Sequence, residues 1–414
     1  MLALLLACST EAPNPEPGDT APVENPDTLP GTEDTGEAPD SGIDEDDTAD
    51  DPELEAAAAE TFYTFGVLQE VRLALTQETI DALDKQARRG EAEYLSGDVT
   101  INGTAFTNVG VRIKGSSTLR NFDDKPSLKI KLNAFVPDQD YAGLERITLN
   151  NMVEDNTQMK EVMVYKIFRE AGIYTSRANH AALYVNDELY GLYTNLETMD
   201  DHWLEARYSD PSGELFEAND NADFTRSGVA YWESASGTGD TTQLDAVSDA
   251  IRGAGANYAD DLRLYADMDQ FYAFWAWSLL VGDVDGYPYT LNDCYVYADP
   301  ADGNRFQFYP WGVDESWYSG APGYWNYATG ALAAGCLDND TCKAEFVASM
   351  EAQLLVYDTL PIADWYAADA ATSAATLAAD PRRTFSQSTV ASARSQLLAD
   401  IAAWPGRIRE AMRL

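Results

Sequence analysis

The chain has 414 residues and carries 70 acidic against 27 basic side chains, a formal charge of −43. A surface this negative repels phosphate backbones, so general nucleic-acid binding is excluded as a role. Two histidines, His180 and His202, argue against a multi-histidine metal centre, and the longest apolar run, Phe271 to Val281, falls short of the ~20 residues a membrane helix needs.

Residues 1–8, Met1-Leu-Ala-Leu-Leu-Leu-Ala-Cys8, resemble the end of a bacterial lipoprotein signal, in which a cysteine is cleaved and lipidated. They predict an exported lipoprotein, anchored through Cys8 at a cell surface or in the periplasm. Residues 9–60 are rich in Pro, Thr, Gly, Asp and Glu; residues 1–60 together hold 18 acids and no lysine or arginine. That composition offers too little apolar surface to offset ordering entropy, so a disordered acidic tether is expected.

From residue 61 the pattern is that of folded chain. Thr64 to Leu75 predicts a strand, and Thr76 caps a helix that follows. Asp98 to Leu132 predicts a β-meander with a tight turn at Asn102-Gly103, in which Leu128, Ile130 and Leu132 share one face and Lys129 and Lys131 the other. Asn156 to Ala171 predicts a helix stopped by Gly172, and Ala181 to Leu196 a hairpin about Asn186-Asp187. Beyond about residue 200 helices dominate: a buried one spans about 268–281, a hairpin pairs 293–297 with 306–309, and helices finish the chain. Cys336 and Cys342 bracket a small polar loop and predict a disulfide, while Cys294 is expected as a buried thiol. The whole reads as α+β, with a strand-rich lobe at 61–200 and a helix-rich lobe at 201–414.

Two constellations carry chemistry. Val109-Gly-Val-Arg-Ile-Lys-Gly-Ser-Ser117 runs a strand into a turn, where Lys114, Gly115, Ser116 and Ser117 offer N–H groups and hydroxyls to an anion. Lys129 and Lys131 sit nearby in sequence on Lys125-Pro-Ser-Leu-Lys-Ile-Lys-Leu132, and Glu161 on the next helix is placed to orient one of these lysines. The second constellation is acidic: Asp285 and Asn292 in one loop, and Asp314 after the following strand. Carboxylate and amide oxygens of this kind suit a hard divalent cation beside a nucleotide.

The order of these blocks resembles that of the CotH kinase-like family, named for spore coat protein H. The likeness rests on Gly110–Ser117, Lys125–Leu132, Leu149–Met159, Tyr184–Tyr193, Glu197 with Asp200, Asp285-Gly286 with Asn292, and Pro310-Trp311 with Asp314. It implies an atypical protein-kinase-like, two-lobed fold that binds ATP with Mg²⁺ or Mn²⁺ and phosphorylates an unknown protein acceptor. Carried over, Lys129 or Lys131 holds the phosphates with Glu161 as partner, Lys114 to Ser117 and Glu197 bind the nucleotide, Asp285 acts as base, and Asn292 and Asp314 bind metal. The family reads Pro-Trp-Asp-x-Asp where this chain has Gly312. The rival expectation is a catalytically silent surface protein for structure or adhesion.

Overall fold

The structure, a computed structural model, describes residues 58–90 and 92–413. The expected signal at 1–8, its Cys8 anchor and nearly all of the expected tether lie outside the described residues. Residues 58–60 are described as helix, and Arg169 and Arg177 hold the Glu60 carboxylate at 2.9 and 3.3 Å.

Seven strands form a closed barrel in the order β1-β2-β3-β4-β5-β7-β6. They are β1 (Gln69–Ala74), β2 (Leu95–Ile101), β3 (Thr104–Lys114), β4 (Ser127–Lys131), β5 (Arg146–Asn150), β6 (Ala178–Val185) and β7 (Glu188–Leu196). Helix α1 (Gln77–Ala87) begins as predicted, with the Thr76 hydroxyl accepting from the Thr79 N–H. Both predicted tight turns form, with Asn102, Gly103, Asn186 and Asp187 all at positive φ, as such hairpin turns require. The sequence reading foresaw a meander and a hairpin but not their closure. That closure is a parallel pairing of β1 with β6, Val71 opposite Leu183. Alternation fills the barrel with Val71, Leu73, Val111, Leu128, Ile130, Ile147 and Leu149, all buried in one cluster. The same alternation turns the polar residues of β3, β4 and β5 outward.

Helix α2 (Lys160–Glu170) packs between the barrel and the rest of the chain. It starts later than predicted because Asp155 holds the entry loop, its carboxylate accepting from the N–H groups of Thr157, Met159 and Lys160 at 2.7–2.8 Å. A short helix, α3 (Asp201–Glu205), leads from the barrel to a four-stranded sheet, order β11-β10-β8-β9. Its hairpin β10 (Cys294–Asp299) with β11 (Arg305–Pro310) was predicted; β8 (Leu215–Ala218) and β9 (Trp232–Ser236) were not. Helix α4 (Met268–Leu280) is buried on nearly all sides, as an all-round hydrophobic helix must be, and Trp275 stacks on Phe346 at 3.8 Å.

The later helices complete this mixed α+β fold: α5 (Asp340–Tyr357), α6 (Ile362–Ala379) and α7 (Gln387–Met412). The Cys336–Cys342 disulfide is present, and Cys294 is a buried free thiol, as expected. Residues past α5 are bonded back to the barrel side. Asp380 forms a fully buried ion pair with Lys125 at 2.7 Å and accepts from the Leu192 N–H at 3.1 Å. Asp369 meets His180 at 3.1 Å, and Arg394 donates to the Thr157 carbonyl at 2.8 Å.

Candidate active site

Strand β3 ends at Lys114 and passes into Gly115, whose φ of +113° turns the chain over the mouth of a cavity of about 670 Å³. This cavity brings together most of the residues singled out in the sequence: Lys114, Gly115, Ser116, Ser117, Glu161, Asp285, Asn292 and Asp314 all line it. The glycine turn is pinned from behind by Asn151, whose amide donates to the carbonyls of Thr118 and Lys125 at 3.0 and 2.9 Å. Ser117 reaches across to Glu154 at 3.4 Å.

On one wall, Lys114 donates to Asn150 at 2.7 Å, and Asn150 in turn donates to Glu161 at 2.6 Å. Burial lowers the pKa of Lys114 and raises that of Glu161, and each charge partly offsets the shift of the other. The lysine aligned with Glu161 is therefore Lys114, where the sequence reading had offered Lys129 or Lys131. Lys129 instead lines an adjoining cavity, and Lys131 lines neither. Glu197 is also away from both. It is buried beyond the end of β7, bonded to Arg177 at 2.5 Å and Arg207 at 2.7 Å. Burial works to raise its carboxyl, but the two guanidinium groups outweigh it and hold the pKa below the usual range.

Further acids line the same cavity. Asp293 was missed in the sequence, where it reads as the first residue of a strand. Its carboxylate lies where a side chain at position 312 would begin: a Cβ built on Gly312 falls 2.2–2.6 Å from the Asp293 carboxyl atoms. Gly312 itself has φ +56°, a conformation that favours glycine. So the acid missing from the Pro-Trp-Asp-x-Asp pattern has its space filled by a carboxylate from the neighbouring strand. The carboxylates of Asp293 and Asp314 have no hydrogen-bond or ion-pair partner in another described residue. Burial raises both far above the usual carboxylate pKa; for Asp293 the charges of Asp285 and Asp283 add to it, for Asp314 that of Glu161. Behind them Asp283 is buried and accepts from the Asp285 N–H at 3.2 Å; burial pushes its pKa up to about 7.

Among the described residues no three His, Cys, Asp or Glu side chains are grouped closely enough to hold a metal ion by themselves. Asp293 and Asp314, with Asn292 beside them, offer hard oxygen donors singly. That donor set fits Mg²⁺, which is commonly held by one or two carboxylates together with substrate phosphates.

Comparison with known proteins gives the chain's relatives. The chain is 24% identical over 244 residues to "Spore coat protein homolog 1" of Rhizopus delemar, covering 56% of this chain and 39% of that protein. It is 21% identical over 196 residues to "Inner spore coat protein H" of Bacillus subtilis, covering 44% of this chain and 53% of that one. The chain thus spans about half or less of these relatives' length. Among solved structures, the Shewanella oneidensis MR-1 complex of HipA and HipB with operator DNA matches at a TM-score of 0.30 and 12% identity, over 76% of this chain and 64% of that one, too weak a likeness to carry an argument. The family model described as CotH kinase protein matches residues 111–357, a span that contains every cavity residue named above, and the chain belongs to that family.

Proposed function

We propose that this cleft transfers a phosphoryl group from ATP to a serine, threonine or tyrosine hydroxyl of a protein acceptor. The observation that carries the reading is the meeting, in one polar cavity, of the Lys114–Asn150–Glu161 chain with the carboxylates of Asp293 and Asp314, which have no partner among the described residues. Lys114 neutralises phosphate oxygens, held in place by Asn150 and Glu161. The glycine turn at Gly115–Ser117 lends N–H groups to the same phosphates. Asp285 orients the acceptor hydroxyl and takes its proton. Mg²⁺ or Mn²⁺, held by Asp314, Asp293 and Asn292, would neutralise charge on the nucleotide.

The test is the intact mass of the full chain after incubation with ATP and Mg²⁺ or Mn²⁺, with a generic acceptor protein alongside. A phosphate-sized gain on either protein, absent in Asp285→Asn, supports the assignment. If Mg²⁺ with ATP neither changes a mass nor raises the melting temperature, the nucleotide reading fails and the silent surface protein takes its place. Export as a lipoprotein anchored through Cys8 belongs to the same proposal. Incorporation of a labelled fatty acid that is lost in Cys8→Ala tests it.

A further inference from the structure

The cavity just described adjoins a second one, of about 460 Å³, and the two share Lys114, Gly115 and Glu217. The second has the opposite character. Arg112, Lys129 and Arg146 line it together with Lys114. Strand register produces this grouping: Arg112 stands opposite Lys129 across β3 and β4, and on β5 Arg146, opposite Lys131, lies two residues along from Thr148, the partner of Lys129, and so on the same face. In a chain with 70 acids and 27 bases, four cations on one wall are a strong local reversal of charge. The acids lining the same space are Asp200, Glu217 and Glu233. Asp200 is bonded to Arg146 at 2.6 Å, and Glu233 accepts from Asn219 at 3.1 Å. The Lys129 ammonium has no hydrogen bond and no ion pair with any described residue, and the Arg112 Nε is buried without a hydrogen-bond partner among the described residues.

Glu217 is the acid whose charge acts on Lys129, without a hydrogen bond between them; a purine base placed against this wall would strip solvent from Lys129 and Arg112 and offer no further anion in exchange, which is costly for buried charge. A pyrophosphate group would neutralise both. We infer that the second cavity receives the pyrophosphate end of a nucleoside triphosphate lying reversed in the cleft, and that the chain thereby transfers a nucleotidyl group to an acceptor hydroxyl. The inference rests on the nucleotide-binding reading of the cleft and adds a second orientation to it. With the β- and γ-phosphates beside Lys129, Arg112 and Arg146, the α-phosphorus faces Asp285. The hydroxyl oxygen of the acceptor bonds to the α-phosphorus as its proton passes to the Asp285 carboxylate. The bond from that phosphorus to the oxygen bridging to the β-phosphorus breaks, and pyrophosphate leaves with the electron pair.

The test uses the full chain, Mn²⁺ or Mg²⁺, a generic acceptor protein, and ATP labelled on either the α- or the γ-phosphorus. Label from the α-position should appear on protein with release of pyrophosphate. It should fall by about tenfold or more in Lys129→Met, the scale of a lost charge-assisted contact, and be kept in Lys129→Arg. Transfer of γ-label alone overturns the inference and leaves phosphoryl transfer standing. Transfer of neither label also overturns it, and without a melting shift from Mg²⁺ with ATP the nucleotide reading falls with it. Transfer of α-label that Lys129→Met leaves unchanged refutes the cavity as its cause.

Discussion

Asp283 is buried behind the Asp285 loop, and replacing it with asparagine isolates the cost of ionising it. Its carboxyl is raised by burial from 3.8 to about 7, with Asp285 and Glu315 adding to the shift. Between those two values the folded state holds a proton that the unfolded state has lost, so rising pH removes stability across that window and has no further effect above it. At 1.36 kcal/mol per pH unit the full loss is on the order of 4 kcal/mol, of which about 3 kcal/mol falls between about pH 5 and pH 8. Asp283→Asn keeps an oxygen to accept the Asp285 N–H and cannot ionise. Other buried acids titrate in both proteins, so the difference between the two is the quantity to read. Urea unfolding at the two pH values should show Asp283→Asn gaining about 3 kcal/mol relative to the parent on going from the lower to the higher. A difference in midpoint that is the same at both pH values would refute the reasoning.

Position 312 offers a second test. Gly312→Asp places a side chain in left-handed backbone and into the Asp293 carboxylate, so it should lose about 2 kcal/mol or more in urea unfolding, and adding Asp293→Ala should recover part of the loss. Lys114→Met should abolish the rise in melting temperature produced by Mg²⁺ with ATP, whereas Lys131→Met, outside both cavities, should keep it. Replacing Cys336 and Cys342 together with serine should cost about 2 kcal/mol, the loop-closure entropy of so short a ring, read from the urea midpoint.

Local chemistry made much of the fold legible. Asn102-Gly103 and Asn186-Asp187 announced their turns because few other residues accept two successive positive φ angles. The aromatic run of α4 announced burial because it has no polar face. What stayed hidden was set by distance along the chain. The β1–β6 pairing that closes the barrel joins segments more than a hundred residues apart, and β8 and β9 are too short to show a period. The site divides in the same way. Alternation along β4 shows that Lys129 and Lys131 share a face, but only register across three strands shows that Lys114 is the lysine beside Asn150 and Glu161. Glu197 falls at the expected place in the chain, yet two arginines from other segments claim it. Asp293 looked like the start of a strand because its partner in space, Gly312, is recognised by what it lacks.

The ion pair between Lys125 and Asp380 has a consequence for how the protein is made. The two residues are 255 positions apart, both are fully buried, and Lys125 lies two residues before β4, on the connection that the glycine turn opens. During synthesis the barrel strands leave the ribosome long before Asp380 does. Until then Lys125 has no counter-charge, and a buried charge stripped of its partner costs about 3–5 kcal/mol. A barrel that closed over Lys125 before then would carry that cost, so closure there should be favoured only once the segment around residue 380 has arrived. A chain stopped at residue 357, where the family match ends, would keep every residue of the cleft and lack the one that lets it close.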